Sequence, residues 1–298
     1  LCFLPLAHAY SCAFNFLVPM AVGAHVYLLG KVPSPKILLK AFEEVKPNLI
    51  LTVPLILEKI YKKMILPQLS KTTMKVALNI PLLDSRIYAQ IRKKLVDAFG
   101  GRFREVIVGG AAMNEEVTNF LYKIKFPFTI GYGMTECGPL ISYDHNDEYV
   151  PGSCGQILKG IMKVRIDSED PYNKVGEIQV SGENVMKGYY KNEEATSKVF
   201  TEDGWLRTGD LGTIDADNRI YIRGRSKTMI LGASGQNIYP EEIESKLNNL
   251  PFVMESIIIE KNGKLVGLVY PDYDTVDSTG ISLSLIHISE PTRLALIS

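Results

Sequence analysis

The sequence has no excess of charge of either sign, because 33 lysines and arginines balance 33 aspartates and glutamates. Nucleic-acid binding over a broad surface needs a basic footprint, so this composition argues against a nucleic-acid partner. Only 22% of the residues are charged and 46% are hydrophobic, which excludes a disordered chain. The 24 glycines and 16 prolines are near ordinary usage and exclude a collagen-like or low-complexity protein. The 298 residues predict a folded protein of one or two domains.

Cysteine is scarce, and the four residues are spaced without a metal-binding pattern: Cys2, Cys12, Cys137 and Cys154. No pair has the C-x-x-C spacing, and the four histidines supply no companion ligands at zinc spacing. Neither a zinc site nor a disulfide framework is indicated. We therefore expect reduced thiols and a cytoplasmic location, with peripheral membrane association as an alternative.

Residues 1–30 contain no Asp, Glu, Lys or Arg. The run is long enough for a transmembrane helix, but no basic segment precedes it as in a signal peptide. Pro5 and Pro19 interrupt it, and several polar side chains lie within it. These features favour a buried core segment, with the order strand–turn–helix–strand, over a membrane span. Because residue 1 is Leu, we expect the chain to begin inside a longer domain.

Strands and helices alternate through the first half of the sequence. Short apolar runs at residues 49–53, 105–108 and 126–130 have strand length, and helical patterns lie between them. This order predicts an α/β fold with a parallel, doubly wound sheet. Ligands of such sheets bind at the carboxyl ends of the strands, where Gly109-Gly110 and Gly131 to Gly133 lie.

The pattern changes near Val150 to short strands separated by Gly, Asn and Asp turns, which predicts a small β-barrel-like unit. Near Lys227 it changes again, to a helix beginning at Pro240 and a hairpin with an Asn262-Gly263 turn. We predict a large domain of residues 1–149 with a β subdomain at 150–226. The start of a small α+β domain follows at 227–282. Residues 283–298 resemble a translated sequencing adapter, and we expect a non-native tail.

Three short segments carry side chains suited to chemistry. Residues 131–136, Gly-Tyr-Gly-Met-Thr-Glu, follow a strand and offer a flat ring, a hydroxyl and a carboxylate for a base, a phosphate oxygen and Mg²⁺. Asp210 can accept from both hydroxyls of a ribose. Arg225 lies in a basic loop that can contact phosphate. Each segment also has a purely structural interpretation. These are a capped tight turn for residues 131–136, a turn aspartate for Asp210 and a solvated basic turn for Arg225.

The order of these motifs resembles the adenylate-forming superfamily of acyl-CoA synthetases, luciferases and peptide-synthetase adenylation domains. The series runs GGAA, YGMTE, TGD, GRSK and SGQNIYPEEIE, and the resemblance covers residues 1 to about 282. It implies an adenine and acyl-carboxylate lining at Gly110, Ala111 and Ala112, and adenine stacking on Tyr132 between Gly131 and Gly133. It also implies catalytic roles for Thr135, Glu136 and Arg225, with Glu136 as the Mg²⁺ ligand and Asp210 on the ribose.

The resemblance implies further roles outside the nucleotide site. His8 and Tyr10 would face the acyl substrate, although a buried core histidine is the alternative for His8. Lys227 occupies the hinge position between the large and small domains. Gly235 and Asn237 fall in the loop of the thioester step. Residues 53–61 resemble a segment of long-chain fatty acyl-CoA synthetases, which points to the length of the substrate.

Relatives use ATP and Mg²⁺ to convert a carboxylate into an acyl-adenylate, and CoA then displaces AMP. The resemblance therefore implies that the parent protein is a long-chain fatty acid–CoA ligase. An acyl-AMP ligase that serves a carrier protein and a non-catalytic nucleotide-binding relative are the alternatives. The family's phosphate loop should precede residue 1, and its catalytic lysine should follow Tyr270. We find neither in the sequence and expect this polypeptide to form acyl-CoA at no useful rate.

Overall fold

The computed structural model describes residues 1–69, 71–80, 83–232 and 236–279, so Gly235 and the expected tail at 283–298 lie outside it. The α-helices, in chain order, are α1 Ala9–Ser11, α2 Val18–Ala21, α3 Pro35–Val45, α4 Pro54–Ile60, α5 Leu66–Leu69, α6 Thr72–Leu78, α7 Leu83–Ala98, α8 Glu115–Lys123, α9 Glu193–Val199, α10 Pro240–Leu247 and α11 Tyr273–Thr279. Cys12–Leu17 and Tyr61–Ile65 are π-helical, and Thr135–Cys137 is a 3-10 turn.

The strands, in the same order, are β1 Leu49–Thr52, β2 Glu105–Val108, β3 Phe128–Ile130, β4 Tyr132–Gly133, β5 Leu140–Ser142, β6 Met162–Asp167, β7 Gly176–Gly182, β8 Leu206–Ile214, β9 Ile220–Arg225, β10 Ile230–Leu231, β11 Asn237–Ile238, β12 Val253–Lys261 and β13 Lys264–Pro271. β1, β2 and β3 form a parallel sheet in that order. The strands between residues 162 and 225 form an antiparallel sheet in the order β6-β7-β8-β9. The predicted α/β architecture with an additional β unit is confirmed.

Side chains packed on the parallel sheet form the larger core. Ile50, Val106 and Val108 of the sheet are fully buried. Phe42 of α3 stacks on Phe99, which follows α7, with ring centroids 5.0 Å apart. Gly100 permits this close approach, since a Cβ there would lie 2.5 Å from the Phe42 carbonyl oxygen. Burial of each large apolar side chain contributes roughly 1.5–3 kcal/mol, so this layer fixes the sheet beneath the strand ends.

The opening apolar run is buried on one side only. Cys2 pairs with Leu28 in a parallel bridge, with the helical segment between them. The helix of the predicted order is present, but each predicted strand is reduced to one residue of this bridge. Asn15 is buried and donates to the Ser11 hydroxyl at 3.1 Å, whereas Met20 is 60% exposed. The expectation of a buried run therefore holds for one helix face. Within the described ranges, no helix is long and apolar enough to cross a membrane.

The last described unit pairs a helix with a hairpin. β12 and β13 pair antiparallel around the predicted Asn262-Gly263 turn, and α10 packs against β12. This unit is held against the large unit by a side chain of the π-helical segment Tyr61–Ile65 and by the residue that caps α8. The Lys62 ammonium donates to the carbonyl of Asn248, and the Asn114 amide donates to Asn249 Oδ1 at 2.7 Å. We call this contact the docking contact.

Candidate functional site

A cleft lies at the carboxyl ends of β2 and β3, where the alternation of strands and helices predicted a ligand. Its lining includes seven residues nominated from the sequence: His8, Tyr10, Gly110, Gly131, Tyr132, Gly133 and Thr135. Gly109, which the sequence placed at a strand end, also lines it. Phe14, which the sequence reasoning missed, also lines it. The cleft is therefore formed by the opening helical segment on one side and by two glycine-rich strand ends on the other.

Close contacts, one with backbone and one with a side chain, explain two of the glycines. A Cβ on Gly133 would lie 1.9 Å from the Pro139 carbonyl oxygen, and one on Gly109 would lie 3.2 Å from Cζ of Tyr10. Such distances leave no room for a side chain at position 133 and little at position 109. The GGAA and YGMTE motifs thus shape the cleft in two ways: their glycines leave out a side chain, and their other residues supply one.

His8 and Tyr10 are positioned by the start of the helical segment. The His8 ring accepts a hydrogen bond from the Tyr10 backbone N–H at 3.2 Å, so it caps the helix. The Tyr10 hydroxyl donates to the Ile107 carbonyl at 3.2 Å. Burial raises the pKa of Tyr10, so this side chain remains a neutral donor. His8 is exposed, which rules out the alternative of a buried core histidine. The acyl-pocket role of both residues stays a prediction.

Tyr132, Asp210 and Arg225 meet in one row, joined by a hydrogen bond and an ion pair. Asp210 lies in β8 directly opposite Arg225 in β9, so the turn alternative for Asp210 is wrong. The Tyr132 hydroxyl donates to Asp210 Oδ2 at 2.6 Å, and Arg225 Nε lies 3.1 Å from Asp210 Oδ1. Tyr132 and Asp210 are each 7% exposed, whereas the Arg225 side chain is 71% exposed. The row therefore runs from a buried ring to a solvated guanidinium.

Burial dominates the electrostatics of this row. It raises the pKa of Asp210, although the Tyr132 hydrogen bond and the Arg225 charge oppose that shift. Burial, together with the Asp210 carboxylate, also raises the pKa of Tyr132 well above its ordinary value. Tyr132 is consequently a hydrogen-bond donor at all physiological pH values. Asp210 keeps lone pairs that can accept from a ligand, because a carboxylate accepts about four hydrogen bonds.

Thr135 and Glu136 form the 3-10 turn after β4. Thr135 is exposed at the cleft, while Glu136 Oε1 accepts a hydrogen bond from the Tyr189 hydroxyl at 2.8 Å. No cluster of three or more His, Cys, Asp or Glu side chains that could hold a metal occurs among the described residues. A single carboxylate nevertheless fits Mg²⁺, which proteins often bind through one or two carboxylates and substrate phosphates.

The other nominated residues in the described ranges, apart from those above, do not line this cleft. Ala111 and Ala112 follow Gly110 but are exposed and contribute no lining surface. Lys227 is exposed just after β9, and Asn237 pairs with Leu231 in a two-stranded ladder. Gly235 lies outside the described residues. Tyr189 was missed; its signal was a Gly-Tyr pair between a strand and a helix, which is weak without the fold.

Comparisons with known proteins agree with this arrangement. Residues 1–190 match the AMP-binding enzyme family. Long-chain-fatty-acid–CoA ligase 1 of Saccharomyces cerevisiae is 28% identical over 295 residues, which are 92% of this chain and 42% of that protein. 4-Coumarate–CoA ligase CCL1 of Humulus lupulus is 31% identical over 281 residues, which are 90% of this chain and 45% of that protein.

A solved structure extends the comparison to the fold. O-succinylbenzoate coenzyme A synthetase (MenE) of Bacillus subtilis, in complex with ATP and magnesium ion, matches with a TM-score of 0.67 and 25% identity. The match covers 90% of this chain and 50% of that one. The chain spans less than half of the length of the two curated ligases above. It belongs to the AMP-binding enzyme family, the adenylate-forming acyl-CoA ligases.

Proposed function

We propose that the protein containing this chain activates a long-chain fatty acid with ATP and transfers the acyl group to CoA. In the first step a carboxylate oxygen attacks the α-phosphorus of ATP, and the bond to pyrophosphate breaks. In the second step the CoA sulfur attacks the acyl carbonyl, its proton is lost, and the bond to AMP breaks. The observation that carries the proposal is the Tyr132–Asp210–Arg225 row beside a glycine-lined cleft.

The row supports nucleotide binding by its chemistry. Both Asp210 oxygens are held by protein donors, which fixes the carboxylate plane before a ligand arrives. Ribose hydroxyls can then donate to the remaining lone pairs. The exposed Arg225 guanidinium can contact an anionic phosphate with two parallel N–H groups. Tyr132 contributes a ring edge or face at the cleft, where we expect the adenine.

The turn after β4 supports the phosphate and metal roles. We propose that Thr135 donates to the α-phosphate or the substrate carboxylate, and that Glu136 is a ligand of Mg²⁺. When bound, Mg²⁺ would offset the charge of anionic oxygens that approach one another in the first step. Thr135 and Glu136 lie on adjacent positions of one short turn, so a single loop would orient both contacts.

Two observations support a fatty acid as the acid substrate. The cleft wall beside Tyr10 contains the ring of Phe14, so this side is largely apolar. The yeast relative is a long-chain fatty acid ligase by name. The Humulus relative acts on an aromatic acid by name, so an aryl acid is the competing substrate class.

All four cysteines are free, which supports our further proposal of a cytoplasmic location.

A substrate panel tests the proposal. The full-length protein that contains this chain is supplied with ATP, Mg²⁺ and CoA, and AMP release is measured with palmitate, 4-coumarate or O-succinylbenzoate. We expect the highest kcat/KM with palmitate and a large loss in Asp210→Ala. Highest activity with an aromatic acid would overturn the fatty-acid assignment. Pyrophosphate release with acyl transfer to a carrier protein but not to CoA would favour the acyl-AMP ligase. Binding of ATP without any turnover would favour the non-catalytic relative.

A further inference from the structure

Tyr189 contacts the proposed metal ligand from a segment that belongs to none of the sequence motifs. Its hydroxyl donates to Glu136 Oε1 at 2.8 Å, across 53 positions of the chain. Tyr189 lies between β7 and α9, and its side chain is partly exposed. The contact is therefore a hydrogen bond between a neutral phenol and a carboxylate near the mouth of the cleft.

Three further hydrogen bonds join the same two segments. The Met186 backbone N–H donates to the Glu136 carbonyl at 2.8 Å. The Asn184 side-chain amide donates to the carbonyls of Cys137 and Leu140, both at 2.7 Å. The segment after β7 thus follows the turn that contains Glu136 along its whole length. The contact of Tyr189 with Glu136 is one part of a continuous, directional interface.

The position of Tyr189 is fixed by the start of α9. Its backbone N–H donates to the Thr196 hydroxyl at 2.9 Å, and that hydroxyl donates to the Asn192 carbonyl at 2.8 Å. Asn192 also caps α9 by accepting from the Ala195 N–H at 3.0 Å. Gly188, with φ of 149°, lets the chain pass against Thr196. The phenol is consequently directed by a capped helix and not by a free loop.

We propose that Tyr189 is a positioning residue that holds the Glu136 carboxylate in the orientation required to bind Mg²⁺ with ATP. This inference rests on the proposed function, in which Glu136 is the metal ligand. A half-exposed glutamate samples several rotamers, and a metal ligand must adopt one of them. The phenol occupies one carboxylate oxygen, and Oε2 has no protein hydrogen-bond partner in the described ranges, so it remains available. Hydrogen-bond partners of metal ligands typically contribute about 10–100-fold to metal affinity.

The chain supplies a matched control beside the tested residue. Tyr190 has the same side chain one position along the same segment, is 87% exposed, and has the Lys191 ammonium 5.3 Å from its ring centroid. Binding of Mn²⁺ in the presence of ATP is measured by electron paramagnetic resonance for wild type, Tyr189→Phe and Tyr190→Phe. We expect Tyr189→Phe to raise the Mn²⁺ dissociation constant about tenfold, the lower end of that range for a partly exposed partner. Tyr190→Phe should leave it unchanged.

A second background separates positioning from general structure. In Glu136→Gln the carboxylate is gone, so adding Tyr189→Phe should change Mn²⁺ binding no further. In turnover assays, Tyr189→Phe should raise the Mg²⁺ concentration that gives half-maximal rate, while kcat at saturating Mg²⁺ stays near wild type. Thermal unfolding of all variants is recorded in parallel, and we expect Tyr189→Phe to stay within about 2 °C of wild type.

The outcomes distinguish the two levels of the argument. If Glu136→Gln weakens Mn²⁺ binding but Tyr189→Phe does not, the positioning role is overturned and the proposed function stands. If Glu136→Gln leaves Mn²⁺ binding unchanged, the metal role of Glu136 and the role of Tyr189 both fail. An equal effect of Tyr189→Phe in the wild-type and Glu136→Gln backgrounds would also overturn the proposal, because it would show an effect that does not pass through the carboxylate.

Discussion

Replacing Asp210 by asparagine should separate the stability of the row from its binding function. The change keeps the shape of the side chain and removes its charge. An asparagine oxygen can still accept from the Tyr132 hydroxyl, which now lies 2.6 Å from Asp210 Oδ2. The ion pair with Arg225 is lost. Because the Arg225 side chain is 71% exposed, that loss costs only about 0.2–1 kcal/mol of the free energy of unfolding.

The opposing contribution comes from burial of the carboxylate. The pKa of Asp210 is raised in the folded protein, which means that burial outweighs the favourable contacts of the charged form. The contribution of a group with a raised folded pKa is present below its unfolded pKa and is lost as the pH rises through the folded value. Asp210→Asn removes the ionisable group, so the variant does not lose this stability as the pH rises. The stability of the variant relative to wild type should therefore increase as the pH rises from about 4 to 7.

At pH 7 the relief of burial offsets the loss of the ion pair, because the raised pKa of Asp210 already includes the opposing Arg225 charge. We expect the free energy of unfolding to change by no more than about 1 kcal/mol, or roughly 2–4 °C in Tm for a unit of this size. Nucleotide affinity should respond much more. An amide has one acceptor atom and no charge, so it cannot accept from two ribose hydroxyls as a carboxylate does. Hydrogen bonds to charged groups contribute about 1.5–3 kcal/mol, which predicts an affinity loss of about 10–100-fold.

Thermal unfolding at several pH values and calorimetric titration with ATP measure both effects on the protein. Asp217→Asn is the matched control, because Asp217 pairs with Arg219 at 2.7 Å but is 67% exposed. That variant should show wild-type ATP affinity. A drop in Tm of more than about 5 °C for Asp210→Asn would refute the electrostatic reasoning. Unchanged ATP affinity would refute the assignment of Asp210 to the nucleotide.

Two further changes test the shape of the site and the docking contact. Gly133→Ala places a Cβ 1.9 Å from a backbone carbonyl oxygen and should lower the free energy of unfolding by about 1–3 kcal/mol or more. The control Gly30→Ala, whose Cβ would have no atom within 4 Å, should leave Tm unchanged. Equal Tm values for the two variants would show that the turn can move aside. Lys62→Met removes the ammonium that donates to two carbonyls of the last unit, so it should speed proteolytic cleavage after β9. Lys94→Met, at an exposed lysine, is the control. Equal cleavage rates for the two variants would show that Lys62 does not hold the last unit in place.

Local patterns were sufficient to predict most elements. The apolar run at 49–53 lies between Pro47 and Pro54, and it forms β1 and its immediate end. Asn114 precedes Glu115 and Glu116, a pattern typical of a helix cap, and its side chain accepts from the N–H groups of Glu116 and Val117. Such features depend on residues a few positions apart. The chain pattern alone therefore contains the information that positions them.

The contacts that complete the site join distant segments, and no local pattern predicts them. Tyr132 and Asp210 are 78 positions apart, and Lys62 and Asn248 are 186 apart. The motif order suggested that Tyr132 and Asp210 share a ligand, but not that they hydrogen-bond to each other. The motif order did not predict a role for Tyr189, because a tyrosine after a glycine is common in ordinary turns. Register and packing decide these contacts, and both emerge only in the folded chain.

Asn114 of the docking contact connects the last unit to the segment beside the cleft. Asn114 is 8% exposed; its backbone N–H donates to Glu58 Oε1 at 2.9 Å, and its amide donates to Asn249 Oδ1 at 2.7 Å. If α10 and the residues after it moved away, the buried amide would lose its bonds to Ser245 and Asn249, at a cost of about 1–3 kcal/mol unless water replaced them. The bond to Glu58 would survive, because both residues belong to the large unit. Movement of the last unit should therefore loosen the segment of Gly110 to Ala112, two residues before Asn114, without releasing it.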